Sequence, residues 1–173
     1  TMKAELADKD QKLAFANSYD TETGIDLEGT KSLEGRTLKD GEFTFEVKGK
    51  AGKVVATGSN KSDGSISFNN KLNYKLSDLE KADGSYESEK TYEYTVNEVI
   101  PEGATAENNY TVNGVTYDSK TVNVKVTVTY NKETGELKAE LAKDSEAIAF
   151  QNSYETKTSI GLEGTKSLSG RTL

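Results

Sequence analysis

The chain has no cysteine, no histidine and no tryptophan, with one proline (Pro101) and one methionine among its 173 residues. Without cysteine no disulfide forms. Without cysteine or histidine, a structural zinc site and a Cys/His nucleophile are both excluded. A lone proline excludes a Pro-rich linker. No apolar run approaches membrane-spanning length, so no membrane insertion is expected. Basic charge is in deficit: 22 Lys and Arg against 29 Asp and Glu leave a formal net charge of −7. Phosphate backbones call for clustered cations, and here the cations are interleaved with acids, so no nucleic-acid partner is expected. No Walker-type or dinucleotide glycine pattern is present, and no cofactor is implied. Asn60–Gly64 matches a calcium loop only in part and reads better as a turn, so no metal is expected. Apolar residues are scarce at 33%. That supply suits a sandwich of short strands better than a large helical core.

Repetition and strand formers are what the chain does have. Thr1–Leu38 aligns without a gap on Glu136–Leu173, with 24 of 38 positions identical. KAELA at Lys3–Ala7 returns at Lys138–Ala142, and LEGTKSL at Leu27–Leu33 returns at Leu162–Leu168. The period of 135 residues is domain-sized, so an array of whole domains is expected rather than a solenoid. The expected division is residues 1–20 as the end of one repeat, 24–155 as a complete repeat, and 160–173 as the start of the next. Short linkers fall at Asp20–Gly24 and Glu155–Ser159.

The central repeat reads as strand after strand. Extended segments are predicted at Ile25–Leu38, Glu42–Lys48, Lys53–Thr57, Ser65–Phe68, Thr91–Ile100, Lys120–Tyr130, Leu137–Leu141 and Ala147–Tyr154. Tyr110–Val112 and Val115–Tyr117 flank Asn113-Gly114, a strong hairpin signal. Leu76–Ala82 is predicted as one helical turn, with Ser77 as cap and Glu80 at the capping-box position. Alternation without helical periodicity points to an all-β fold, an antiparallel β-sandwich.

Side chains alternate across a strand, so residues two apart share a face. Lys31 is in phase with Leu27 and Leu33, Glu98 with Tyr92, Tyr94 and Val96, and Asn152 with Ile148, Phe150 and Tyr154. Phase therefore points a lysine, a glutamate and an asparagine into the core. Burial raises a carboxyl pKa and lowers an ammonium pKa. Together, Lys31 becomes a neutral amine nucleophile and Glu98 a neutral acid. Glu98 then takes the lysine proton, hydrogen-bonds the Asn152 amide oxygen and delivers a proton to departing ammonia. The product is an amide bond from Lys31 to Asn152. Phase alone favours a plainer arrangement, a buried ion pair with Asn152 satisfied by backbone groups. Two points weigh against it. The terminal copies place Asn17 and Lys166 in the same apolar phase, and the pair sits on the first and last strands of the repeat.

The three segments KSLEGRTLKDGEFTFEV (Lys31–Val47), YEYTVNEV (Tyr92–Val99) and AFQNSY (Ala149–Tyr154) together resemble the streptococcal-pilin (FctA/Spy0128-like) type of isopeptide-forming domain. Such domains occur in pilin backbones and in repeat stalks of Gram-positive surface proteins. The resemblance covers roughly Gly24 to Tyr154. It implies an immunoglobulin-like (CnaB-like) sandwich and a self-forming Lys–Asn bond with a catalytic Glu. These roles fall on Lys31, Asn152 and Glu98, with Asn17 and Lys166 as the equivalents in the neighbouring partial repeats. The expected function is a structural stalk or fibre repeat of a cell-wall-anchored, extracellular adhesin or pilin. Self-cross-linking is single-turnover, so the protein is not expected to be an enzyme. The partners expected are neighbouring repeats, including strand exchange between chains through the terminal half-repeats. An alternative is a ligand-binding adhesin module for host protein or glycan. Tyr74, Tyr86, Tyr110 and Tyr117, which phase does not place, are its candidate aromatic platform.

Overall fold

Alternating Val, Thr and Tyr residues stiffen the backbone toward extended conformations, and the computed structural model, which describes residues 19–165 and 169–170, has twelve strands. They are β1 (Glu22–Ile25), β2 (Gly29–Glu34), β3 (Thr44–Lys48), β4 (Val54–Asn60), β5 (Ser65–Phe68), β6 (Leu72–Lys75), β7 (Glu89–Glu98), β8 (Thr111–Val112), β9 (Val115–Thr116), β10 (Thr121–Asn131), β11 (Glu136–Leu141) and β12 (Ile148–Tyr154). Ten of them form one sheet in the order β11-β10-β7-β3-β4-β5-β2-β12-β9-β8, while β1 and β6 form a separate antiparallel ribbon. The large sheet curls on itself. Three strands separate β7 from β2 in that order, yet Glu98 and Lys31 touch.

The expected all-β composition holds. The expected antiparallel pairing fails at one place: β12 runs parallel to β2, with Phe150 opposite Lys31 and Asn152 opposite Leu33. The two strands lie far apart in the chain, and a parallel neighbour needs such a long crossover.

The inner face carries the core. On β10, Val122, Val124, Val126 and Val128 are buried, alternating with more accessible residues. Phe45, Val47 and Val96 from the neighbouring strands are fully inaccessible. Each such side chain contributes roughly 1.5–3 kcal/mol relative to exposure. The Asn113-Gly114 hairpin forms as predicted, with φ of 52° and 79° at its two central residues, the primed-turn geometry that matches strand twist.

Two local expectations are corrected. The helical turn is a 3-10 turn over Leu76–Leu79, with Lys75 rather than Ser77 as its N-cap. Asp78 Oδ2 accepts the Lys75 backbone N–H at 2.7 Å, the role assigned to Glu80. Leu76 and Leu79, both buried, eclipse at the three-residue repeat of such a turn. The other correction concerns the linker Asp20–Gly24. Most of it is strand β1, paired residue for residue with β6. Thr21 is held as well, its carbonyl accepting the Leu76 N–H at 2.9 Å. No helix among the described residues is long and apolar enough to cross a membrane.

Candidate functional site: a buried lysine, glutamate and asparagine

Three strands deliver three polar side chains to one point in the core. Lys31 points inward from β2, Glu98 from the end of β7 and Asn152 from β12, with residue exposures of 3%, 5% and 1%. Glu98 joins the other two. Its Oε2 accepts from Lys31 Nζ at 2.7 Å and its Oε1 accepts from Asn152 Nδ2 at 2.7 Å. One carboxylate thus holds the amine and the amide side by side.

The surroundings are dry and aromatic. Lys31 Nζ lies 4.6 Å from the centroid of Phe43 and 5.8 Å from that of Phe45. Phe45 packs on Phe150 at 5.2 Å, and Tyr117 closes edge-on against Phe43 at 5.8 Å. Burial pushes the Lys31 ammonium pKa down, against the opposing pull of its hydrogen bond and charge pairing with Glu98. Burial pushes the Glu98 carboxyl up, against the same bond from Lys31. Both directions weaken the charged forms and bring the amine and the acid closer to sharing one proton evenly.

The amide orientation follows from what surrounds it. The backbone N–H of Asp118, which can only donate, lies 2.9 Å from Asn152 Oδ1. That fixes the oxygen toward Asp118 and the Nδ2 toward Glu98. Here the geometry differs from the expectation that Glu98 bonds the amide oxygen. Glu98 contacts the nitrogen that would leave, and a backbone donor contacts the oxygen.

The three candidates from strand phase are therefore brought together, and two hydrogen bonds give Glu98 the central place. Asn17 and Lys166 lie outside the described residues. Of the tyrosines considered as a platform, Tyr74 is buried, while Tyr86, Tyr110 and Tyr117 are half-buried. Tyr86 stacks edge-on with Tyr130 at 5.9 Å. Sequence reasoning missed Asn60, whose side chain is buried beside the site. Its Oδ1 accepts the Phe43 N–H at 2.7 Å, and its Nδ2 donates to the carbonyls of Lys39 and Lys61. The Phe43 so tethered is the ring under Lys31 Nζ. Among the described residues, no buried side-chain nitrogen or oxygen lacks a partner. No group of three acidic side chains able to hold a metal ion occurs among them either.

The fold and site define an all-β domain with a buried Lys–Glu–Asn bridge. The family model described as the Spy0128-like isopeptide containing domain (FctA) matches residues 27–155, and the chain belongs to that family. Among curated proteins there is no match. Among solved structures, the major pilin from Streptococcus pyogenes is similar at 20% identity and a TM-score of 0.41, over 76% of this chain and 51% of the pilin. The T-13 major pilin from Streptococcus pyogenes is similar at 18% identity and a TM-score of 0.36, over 78% of this chain and 54% of that one. The chain spans about half the length of these pilins.

Proposed function

We propose that this domain closes an amide bond between Lys31 Nζ and Asn152 Cγ, and that it serves as a structural repeat of a Gram-positive surface fibre or stalk. The observation that carries the reading is the single buried carboxylate of Glu98 bridging the amine and the amide, each at 2.7 Å. The Lys31 ammonium passes a proton to Glu98, and the neutral amine attacks Cγ. The new C–N bond forms first, charge gathers on Oδ1 of a tetrahedral adduct, and the C–Nδ2 bond then breaks. Nδ2 takes one proton from the attacking nitrogen by way of Glu98 and leaves as ammonia. No oxidant, metal or cofactor enters the balance, and the reaction runs once per chain.

The wider role follows from family membership and the 135-residue repetition. The curled sheet is read as an immunoglobulin-like (CnaB-like) sandwich, repeated in tandem, with residues 1–20 and 160–173 belonging to the neighbouring copies. The partners are adjoining repeats and other subunits of the same fibre, outside the cell and anchored to its wall. The tyrosines engaged in core packing support a spacer over a glycan-binding module.

Intact mass under denaturing conditions tests the chemistry. The native chain is expected to be lighter than its sequence by one ammonia, and Lys31→Ala and Glu98→Ala to have full mass. A native chain of full mass would reduce the trio to an ion pair and an amide.

A further inference from the structure

The Asn152 carbonyl oxygen is the atom on which negative charge develops when an amine attacks Cγ, and Glu98 does not touch it. The group that does is the backbone N–H of Asp118, which already donates to that oxygen at 2.9 Å in the unreacted amide and is aimed where the oxyanion forms. This N–H belongs to the short connection between β9 and β10, where regular ladder bonds cannot hold it in place. Its own side chain does so. Asp118 Oδ2 accepts the Gln151 backbone N–H at 3.1 Å, and Oδ1 accepts the Lys120 backbone N–H at 3.2 Å. The connection and β12 are therefore strapped together in both directions: Asp118 N–H to Asn152, and Gln151 N–H to Asp118.

We propose that Asp118 supplies the oxyanion donor of the cross-linking reaction through its backbone N–H, and that its carboxylate is a positioning residue that aims that N–H at Asn152 Oδ1. This deepens the amide-bond reading above and rests on it. A carboxylate near a developing anion would ordinarily oppose the reaction. Here Lys120 Nζ, 3.3 Å from Asp118 Oδ2, offsets its charge. The arrangement divides the work. Glu98 moves protons between the two nitrogens, and Asp118 steadies the oxygen.

The test follows bond closure in time. Chains recovered in denaturant from inclusion bodies are first checked by intact mass to be unreacted, and dilution into buffer starts folding. Intact mass is then sampled while circular dichroism reports the fold. The native chain is expected to lose ammonia and Glu98→Ala to lose none. Asp118→Ala, which cuts the strap, is expected to fold and to react about tenfold to a hundredfold more slowly. Asp118→Asn keeps one acceptor oxygen and is expected to recover part of the rate, a rescue that general loosening of the loop would not give. Asp118→Ala closing at the native rate, or Asp118→Asn closing no faster than a folded Asp118→Ala, overturns the assignment alone. Where Asp118→Ala fails to fold, Asp118→Asn decides. A folded chain slower than native supports the assignment, and the native rate overturns it. A native chain that keeps its full mass overturns the amide-bond reading and this assignment with it.

Discussion

Lys31 and Phe150 are register partners in the parallel pair of β2 and β12, which puts Lys31 and Asn152 on one face, a single step apart. Directly opposite residues in a sheet share a face, and the next inward position along β12 is two residues on. The ring of Phe150 therefore fills the position across from the lysine, and the amide comes next along the strand. Glu98 reaches both from the far side of the curled sheet.

Asn152→Ala removes the bond and leaves the Lys31–Glu98 pair, and it also takes the acceptor from the Asp118 N–H. The variant is expected to fold, to keep its full mass and to be less stable than the native chain by roughly 4–5 kcal/mol, the loop-closure entropy of a link spanning most of the domain. Guanidinium unfolding measures it. Equal midpoints for the two chains would remove the mechanical rationale for the cross-link.

Lys31→Met leaves Glu98 buried without its cation, and its stability should then depend on pH in an unusual direction. Burial holds the folded-state pKa of Glu98 above the ordinary 4.5. Above that pH the unfolded chain releases a proton that the folded chain keeps, so this contribution to stability is complete below 4.5 and is lost as pH rises through the folded value. Measured against Lys31→Met/Glu98→Gln, which lacks the group, the melting-temperature deficit of Lys31→Met is expected to widen from acid to neutral pH. A constant deficit would show that Glu98 does not titrate there.

Asn60→Ala removes one acceptor and two donated bonds from a buried position. Leaving a buried backbone N–H unpaired is costly, and a loss of about 2 kcal/mol or more is expected. The cross-link should still form, since Asn60 touches none of the reacting atoms. Denaturant midpoint and intact mass together separate the two effects.

Gly35, just after β2, has φ of +92°, and a Cβ there would collide with the carbonyl oxygen of Tyr154. Gly35→Ala is expected to cost roughly 1–3 kcal/mol, from backbone strain and from displacement of the end of β12. Thermal unfolding checks it, and a neutral result would mean that the two strand ends part without penalty.

The buried trio was legible in the sequence because it breaks a regular alternation. A lysine, a glutamate and an asparagine at inward positions are conspicuous among Val, Phe and Tyr. Most strand positions and the Asn113-Gly114 hairpin were legible for the same local reasons. The parallel direction of β12 against β2 was not, since pairing across so much chain leaves no local trace in either strand. Strand β6, Leu72–Lys75, was missed because it runs without a break into the turn Leu76–Leu79, which captured the reading of that stretch. Asn60 looked like an ordinary turn residue because its partners are backbone groups. Asp118 was invisible for a stronger reason: the atom that matters is a main-chain N–H, which every residue except proline has.

The chain comes in and goes out at opposite poles of the domain. Tyr19 donates its hydroxyl to the carbonyl of Gly135, in the turn between β10 and β11. Tyr154 finishes β12 beside Gly114, at the tip of the β8–β9 hairpin, with Arg36 against its ring at 4.7 Å. Without a Lys31–Asn152 bond, tension at the two poles would shear β2 lengthwise along β12 and strain every rung of that ladder together; with the proposed bond, the load crosses between the two strands through the covalent link. Units joined this way would each extend a filament by their full height.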